Sequence, residues 1–248
     1  MRERTTTVTV SYAQSVDGRI ATATGDSRWI SGPESLDFAH SLRGSHEAIM
    51  IGIGTVIADD PLLTCRLPEC QSPHRFVLDS NLQMPSGANI TRTADRVATT
   101  VVCAPDSFER YREHARRLES MGLRVETADR GPDGLDPRAV FDLLARDGIE
   151  SLFVEGGSRL VTSLIREQLV DRLIVVFSPM IIGNGCNAIG ELHVQLLADA
   201  VRAEPVSVTS YGRDIAWELR LPARREEARP LLHGGSENAL ARGTGRHE

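Results

Sequence analysis

The sequence predicts an α/β domain with a central, mostly parallel sheet flanked by helices. Candidate strands and helices alternate through most of the chain, and several strand candidates are short continuous apolar runs, as strands buried on both faces are. At 248 residues, 41% hydrophobic and 25% charged, the chain has a globular composition and the length for one sizeable domain.

Residues 7–13 alternate in the manner of a strand, and residues 33–43 form the first helical pattern, with Ser31 as its expected cap. Residues 48–53 are a continuous apolar run and read as a buried strand. Strand patterns follow at 75–79, 99–103, 123–127, 151–154, 173–178 and 215–221, and helical patterns at 106–121, 137–147 and 158–168. From Ala223 onward the composition changes to five arginines, four acids and no Val, Ile or Phe. The expectation is one domain over residues 1–222 and a disordered or loosely docked tail over 223–248.

A formal net charge of −6 gives no reason to expect nucleic acid or an anionic membrane as partner, so any bound anion must be held by a few local arginines. No apolar run approaches the roughly 18 to 20 residues that cross a bilayer, and the N-terminus leads into an alternating segment rather than a signal core, which implies a cytoplasmic protein. Cys65, Cys70, Cys103 and Cys186 form no C-x-x-C pair and have no histidines at zinc-ligand spacing, so reduced structural thiols and no metal are expected.

Three segments carry chemistry. Residues 15–21, followed by Gly25 to Gly32 with Ser27, Trp29 and Ser31, combine hydrogen-bonding groups with one aromatic surface, which suits a flat heterocycle as well as it suits an ordinary turn. Arg43 and the stretch from Gly52 to Arg66 put glycines at the end of a buried strand, where amides can approach a ligand. They add the carboxylates of Asp59 and Asp60 and two guanidinium forks for phosphate oxygens. Leu152 to Ser158 runs from a strand through Glu155, Gly156 and Gly157 into a helix N-terminus, an anion cradle able to hold a cofactor pyrophosphate. Glu155 then stands at the carboxyl end of a central strand, where α/β sheets bind ligands, or else caps the helix.

Two near-matches to the dinucleotide fingerprint fail. Gly183 to Ala188 has poor helix starters and no acidic ribose ligand behind it, and Gly52-Ile53-Gly54 lacks the third small residue at Ile57. Nucleophile-elbow, phosphate-loop and H-E-x-x-H motifs are missing, which removes most hydrolase and kinase readings.

In their order along the chain, the stretches 15–21, 27–31, 52–66, 75–79, 154–160, 169–171 and 178–183 resemble the reductase domain of riboflavin biosynthesis, fused to a deaminase in many bacteria and free-standing in fungi and archaea. The resemblance implies a dihydrofolate-reductase-like fold, a homodimer, NADPH as cofactor, and reduction of the ribose of a phosphoribosylaminopyrimidine to a ribityl chain. It implies that Arg43 and Arg66 hold the substrate phosphate, with Ser27, Ser31 and Leu63 also at the substrate, and that Asp59 and Glu155 act on its polar groups or as proton donor. It implies a cofactor lining of Ala13, Trp29, Gly52, Gly54, Thr55, Val56, Gly156, Gly157 and Ser158. One position departs from the family: Ser11 stands where many fused members have lysine. The zinc signature of the deaminase, H-x-E with P-C-x-x-C, is absent. The resemblance then implies as substrate either the deaminated uracil compound or the undeaminated diaminopyrimidinone. The competing readings are a reductase of the same fold diverted to a pteridine, folate-like or specialised-metabolite substrate, and a non-catalytic NADPH-binding regulator.

Overall fold

The computed structural model describes residues 6–222; the tail expected over 223–248 lies outside the described residues. The elements in order are β1 (Thr7–Ser15), β2 (Arg19–Thr22), α1 (Pro33–Gly44), β3 (Ala48–Gly52), α2 (Ile53–Asp59), β4 (His74–Leu78), α3 (Asn89–Arg92), β5 (Thr99–Cys103), α4 (Pro105–Arg110) and α5 (Arg112–Ser120). They continue with β6 (Arg124–Thr127), β7 (Arg130–Gly131), β8 (Gly134–Leu135), α6 (Pro137–Arg146), β9 (Ser151–Val154), α7 (Ser158–Arg166), β10 (Arg172–Ser178), β11 (Gly185–Asn187), β12 (Glu204–Tyr211) and β13 (Asp214–Arg220). Nine strands form one sheet in the order β12-β13-β10-β1-β9-β3-β4-β5-β6. It is parallel from β10 to β6, and β13 and β12 complete one edge antiparallel.

The apolar runs are buried on both sides, as their patterning requires. In β3, Ala48 and Met50 face a core with Val140, Phe141 and Leu144 of α6 and Val161, Leu164 and Ile165 of α7. Ile49 and Ile51 face the opposite core with Leu42 of α1, Val56 of α2, and Ala115 and Leu118 of α5. Helices thus cover both faces, and α1 and α7 reach the sheet from opposite sides of its centre.

Four local expectations are corrected. The cap of α1 is Gly32 rather than Ser31. The capping work falls to Asp214 on β13, whose buried carboxylate accepts the Gly32 N–H and the Ser35 hydroxyl, both at 2.7 Å. The helix expected at 106–121 is two helices bent at Tyr111, although bonds from Tyr111 N–H to Ser107 and from Ala115 N–H to Tyr111 run through the bend. The strand expected at 48–53 ends at Gly52, and Ile53 opens α2, which forms despite four β-branched residues with Val56 buried in the core. Cys65 and Cys70 are joined by a disulfide with 5.9 Å between Cα atoms, so only Cys103 and Cys186 are free thiols.

Arg75 is fully buried on β4, with no carboxylate partner among the described residues. Its guanidinium donates instead to five neutral acceptors, the Thr99 and Thr93 hydroxyls and the carbonyls of Leu62, Ile90 and Val97. Desolvation pushes its pKa down to about 10, which leaves it charged at neutral pH. Asp17 ties β1 to the long segment after β10, accepting from the Ser15 hydroxyl and from Ile182 and Gly183 N–H at 2.5, 3.1 and 2.7 Å. These bonds lower its pKa to about 2, so the anchor is complete above the ordinary carboxylate range and is lost as pH falls towards 2.

Candidate active site

Strand β9 is shorter than its neighbours. It pairs with β1 only as far as Val10 opposite Val154 and with β3 only as far as Met50 opposite Val154, while β1 runs on to Ser15 and β3 to Gly52. A notch opens at the carboxyl ends of these parallel strands, the place where open α/β sheets bind ligands. Glu155 begins the turn that enters this notch, its N–H donating to the Met50 carbonyl at 3.2 Å. Ser11 is the first residue of β1 beyond the last β9 partner, so the position that departs from the family pattern lies at the notch.

Charged groups from separate segments meet here. Arg43, in the last turn of α1, grips Glu155 with both arms of its fork, Nε to Oε2 at 2.8 Å and Nη2 to Oε1 at 2.7 Å, and its third nitrogen donates to the Thr64 carbonyl at 3.3 Å. The Arg43 side chain is only 13% exposed and Glu155 31%, so the pair is partly desolvated. Arg66 is exposed, with no hydrogen bond or ion pair among the described residues. Of the two arginines, Arg66 is therefore the one with a free fork. Asp59 ends α2; desolvation raises its pKa, the Glu155 charge adds to the rise and Arg28 opposes it. Its neighbour Asp60 is structural: it receives the Asn89 N–H at 2.7 Å and its carbonyl accepts from the Asn89 amide at 2.9 Å.

The sequence reading missed His40. It lies one turn before Arg43 on α1, and its Nδ1 is 3.1 Å from the same Thr64 carbonyl. Desolvation, Arg43 and Arg66 lower its pKa, against the Thr64 bond and Glu155. The i, i+3 spacing from Arg43 was the only signal for it in the sequence.

The glycines fit a dinucleotide. Gly52, Gly54 and Gly157 adopt backbone conformations open to any residue, and a Cβ at each would meet no protein atom within 4 Å. The fold does not demand glycine there, whereas a ligand lying on the backbone does. Gly156 differs, since a Cβ there would press on Leu160 at 3.0 Å. Gly157 caps α7 without a side-chain bond, and the first turn of that helix has no acid and carries the exposed Arg159, so its dipole is left for an anion. Gly54→Ala is expected to leave Tm unchanged or raise it, as alanine does in a helix interior, while weakening dinucleotide binding about tenfold or more. Thermal melts with and without NADPH check both halves.

The remaining expected site residues divide. Ala13, Ser27, Ser31, Thr55 and Ser158 are half-buried. Leu63 and Val56 are each 2% exposed and packed in the core, so Leu63 can reach a ligand only through its backbone and Val56 supports the lining from beneath. Trp29 is 76% exposed and has φ +66°, a strained conformation for a bulky residue with no packing to account for it.

The model of the RibD C-terminal domain family matches residues 6–217. Riboflavin biosynthesis protein RibD of Aquifex aeolicus is 34% identical over 209 residues, 84% of this chain and 56% of that protein. The 2,5-diamino-6-ribosylamino-4(3H)-pyrimidinone 5′-phosphate reductase of Methanothermobacter thermautotrophicus is 35% identical over 216 residues, 85% of this chain and 96% of its own length. Among solved structures, RibD of Acinetobacter baumannii has a TM-score of 0.74 at 24% identity, over 88% of this chain and 58% of its own. The riboflavin biosynthesis reductase Rib7 of Saccharomyces cerevisiae has 0.69 at 22%, over 90% and 92%. The shared architecture is the expected mostly parallel sheet between helices. The chain spans about half the length of the first relatives it matches.

Proposed function

Because the chain belongs to the RibD C-terminal domain family, we propose that it is a reductase of riboflavin biosynthesis that uses NADPH to reduce the ribose of a phosphoribosylaminopyrimidine to a ribityl chain. Residues 1–222 are the reductase domain of this reading. The observation that carries it is the meeting, at one notch, of a free arginine, a clamped glutamate and a glycine-lined helix N-terminus. A phosphorylated sugar and a dinucleotide ask for these groups.

Gly52, Gly54, Thr55, Gly156, Gly157 and Ser158 would hold the cofactor, with Ala13 and Trp29 beside it and Val56 beneath. When bound, the nicotinamide supplies the hydride equivalent. Arg66 binds the substrate phosphate, and Ser27, Ser31 and the Leu63 backbone line the sugar. Glu155, oriented by Arg43, accepts from the sugar hydroxyls. Asp59, at the end of α2, is the second carboxyl able to act as proton donor or relay.

A carboxyl whose folded pKa is raised binds its proton more tightly folded than unfolded, so its ionisation opposes folding at every pH above that range. Asp59→Asn is therefore expected to raise Tm at pH 7, to leave it unchanged near pH 3, and to lower turnover. A pH series of melts alongside the assay reads all three.

Among the described residues no helix is long and apolar enough to cross a membrane. A cytoplasmic location follows from the charge on both ligands, which keeps them behind membranes. The same reading includes a homodimer. Val206 and Val208 on edge strand β12, and Ile215 and Trp217 on β13, are exposed apolar residues, and Val208 stands directly opposite Trp217. Trp217→Asp is expected to convert a dimer into a monomer in light scattering; a wild-type monomer at micromolar concentration would exclude the dimer.

NADPH oxidation measured separately with the deaminated and the undeaminated pyrimidine tests the function. Turnover with either establishes the reductase and its substrate. Ser11 at the notch favours a second reading, a reductase diverted to another heterocycle. NADPH binding with no turnover of either pyrimidine is the outcome that reading expects.

A further inference from the structure

Arg66 sits on residues 61–73, an irregular connection between α2 and β4, yet its place is tightly fixed. Its two preceding residues are tethered to one helix. The Thr64 carbonyl lies 3.1 Å from His40 Nδ1 and 3.3 Å from Arg43 Nη1, both on α1. A carbonyl only accepts, so the histidine must donate from Nδ1. Cys65 is joined to Cys70, closing a ring that contains Arg66, and the Cys65 sulfur lies 3.3 Å from the His40 carbonyl. The disulfide rests on the end of α1 at Gly44. A Cβ at that position would overlap the Cys70 sulfur and lie 3.2 Å from that of Cys65, so the close approach of the sulfurs, not the backbone angles, requires glycine there.

Each of these tethers ends on α1, the helix that also presents Arg43 to Glu155. We propose that His40 and the Cys65–Cys70 disulfide are positioning residues that hold Arg66 in register with the Arg43–Glu155 pair, making phosphate affinity depend on the redox state of that disulfide. The proposal rests on Arg66 as the phosphate ligand. An arginine on an untethered connection surrenders loop freedom whenever it binds, whereas a pinned one has already done so, and the difference appears as affinity. The bond is reversible: a dithiol reductant donates two electrons and two protons, the S–S bond breaks into two thiols, and the reductant becomes a disulfide. In a reducing compartment the strap is therefore a state of the enzyme rather than a permanent staple.

The test uses the full chain in three forms, oxidised, dithiothreitol-reduced and Cys70→Ser, together with His40→Ala and His40→Gln. Alkylation and mass measurement should show two more labelled thiols after reduction. Reduction, Cys70→Ser and His40→Ala are each expected to raise the KM for the phosphoribosylaminopyrimidine about tenfold, leaving kcat and the NADPH KM unchanged. The dephosphorylated substrate should show no such rise, and His40→Gln, whose amide still donates, should recover most of the loss. Equal shifts for both substrates, or none, overturn the proposal. Ribose 5-phosphate binding by calorimetry on the same proteins separates the two claims. Tighter binding by the oxidised form sustains the tether even if neither pyrimidine turns over, whereas equal binding by both forms overturns it whatever the activity.

Discussion

Arg75→Met is expected to destabilise the protein by about 3 to 5 kcal/mol, because it removes the guanidinium's bonds from the interior, leaves the Leu62 carbonyl without a donor among the described residues, and reduces the Ile90 and Val97 carbonyls to the local hydroxyls of Thr93 and Thr99. The acceptors belong to the connection before β4 (Leu62), to α3 and its C-cap (Ile90 and Thr93), to the residues leading into β5 (Val97) and to the first residue of β5 (Thr99). One side chain thus joins α3 and the connection after α2 to the β4–β5 pair, in which Arg75 stands opposite Thr99. For a domain of this length the loss corresponds to a fall of roughly 10 °C or more in Tm. Arg75→Lys is expected to recover little, since an ammonium has three donors at one point and cannot span acceptors spread around a planar fork. Urea unfolding of both variants decides the matter: a loss below about 1 kcal/mol would mean that water replaces the guanidinium. Because Leu62 precedes Leu63 and the Thr64–Arg66 stretch, the substrate KM should rise with the instability.

Glu155→Gln is expected to lower kcat by about 10²-fold or more with little change in NADPH affinity, as befits a group acting mainly in the transition state. The swap keeps an acceptor for Arg43 but removes the charge that faces that guanidinium at 2.7 and 2.8 Å. Two explanations of such a loss are separable. If Glu155 acts on the substrate itself, Arg43→Gln should be milder, and the double variant should resemble Glu155→Gln alone. If Glu155 serves only to hold Arg43, the two single variants and the double should be equally impaired. Full activity in Glu155→Gln removes this residue from the mechanism.

The sheet and most of its helices were legible because local patterning and burial agree. Residues 48–51 are buried on both faces of the sheet, and the strands at 99–103 and 151–154 have the bounds their patterning predicts. Where they disagree, burial won: residues 53–59 carry the β-branched residues of a strand and fold as α2. Strand β12 was missed although residues 206–209 alternate, because an exposed edge strand has no apolar run to announce it.

The site shows the same division. The sequence by itself determined the cast: the glycines, Glu155 before Gly156 and Gly157, the two arginines and the acid pair at 59 and 60, all residue types whose chemistry is local. Their partners were set by the tertiary structure. It joined Arg43 to Glu155 across 112 positions, left Arg66 free, separated Asp59 from Asp60, added His40 and paired Cys65 with Cys70. The reason is physical: apolar periodicity is written into consecutive residues, whereas a hydrogen bond, an ion pair or a pKa shift depends on which surfaces the sheet brings face to face.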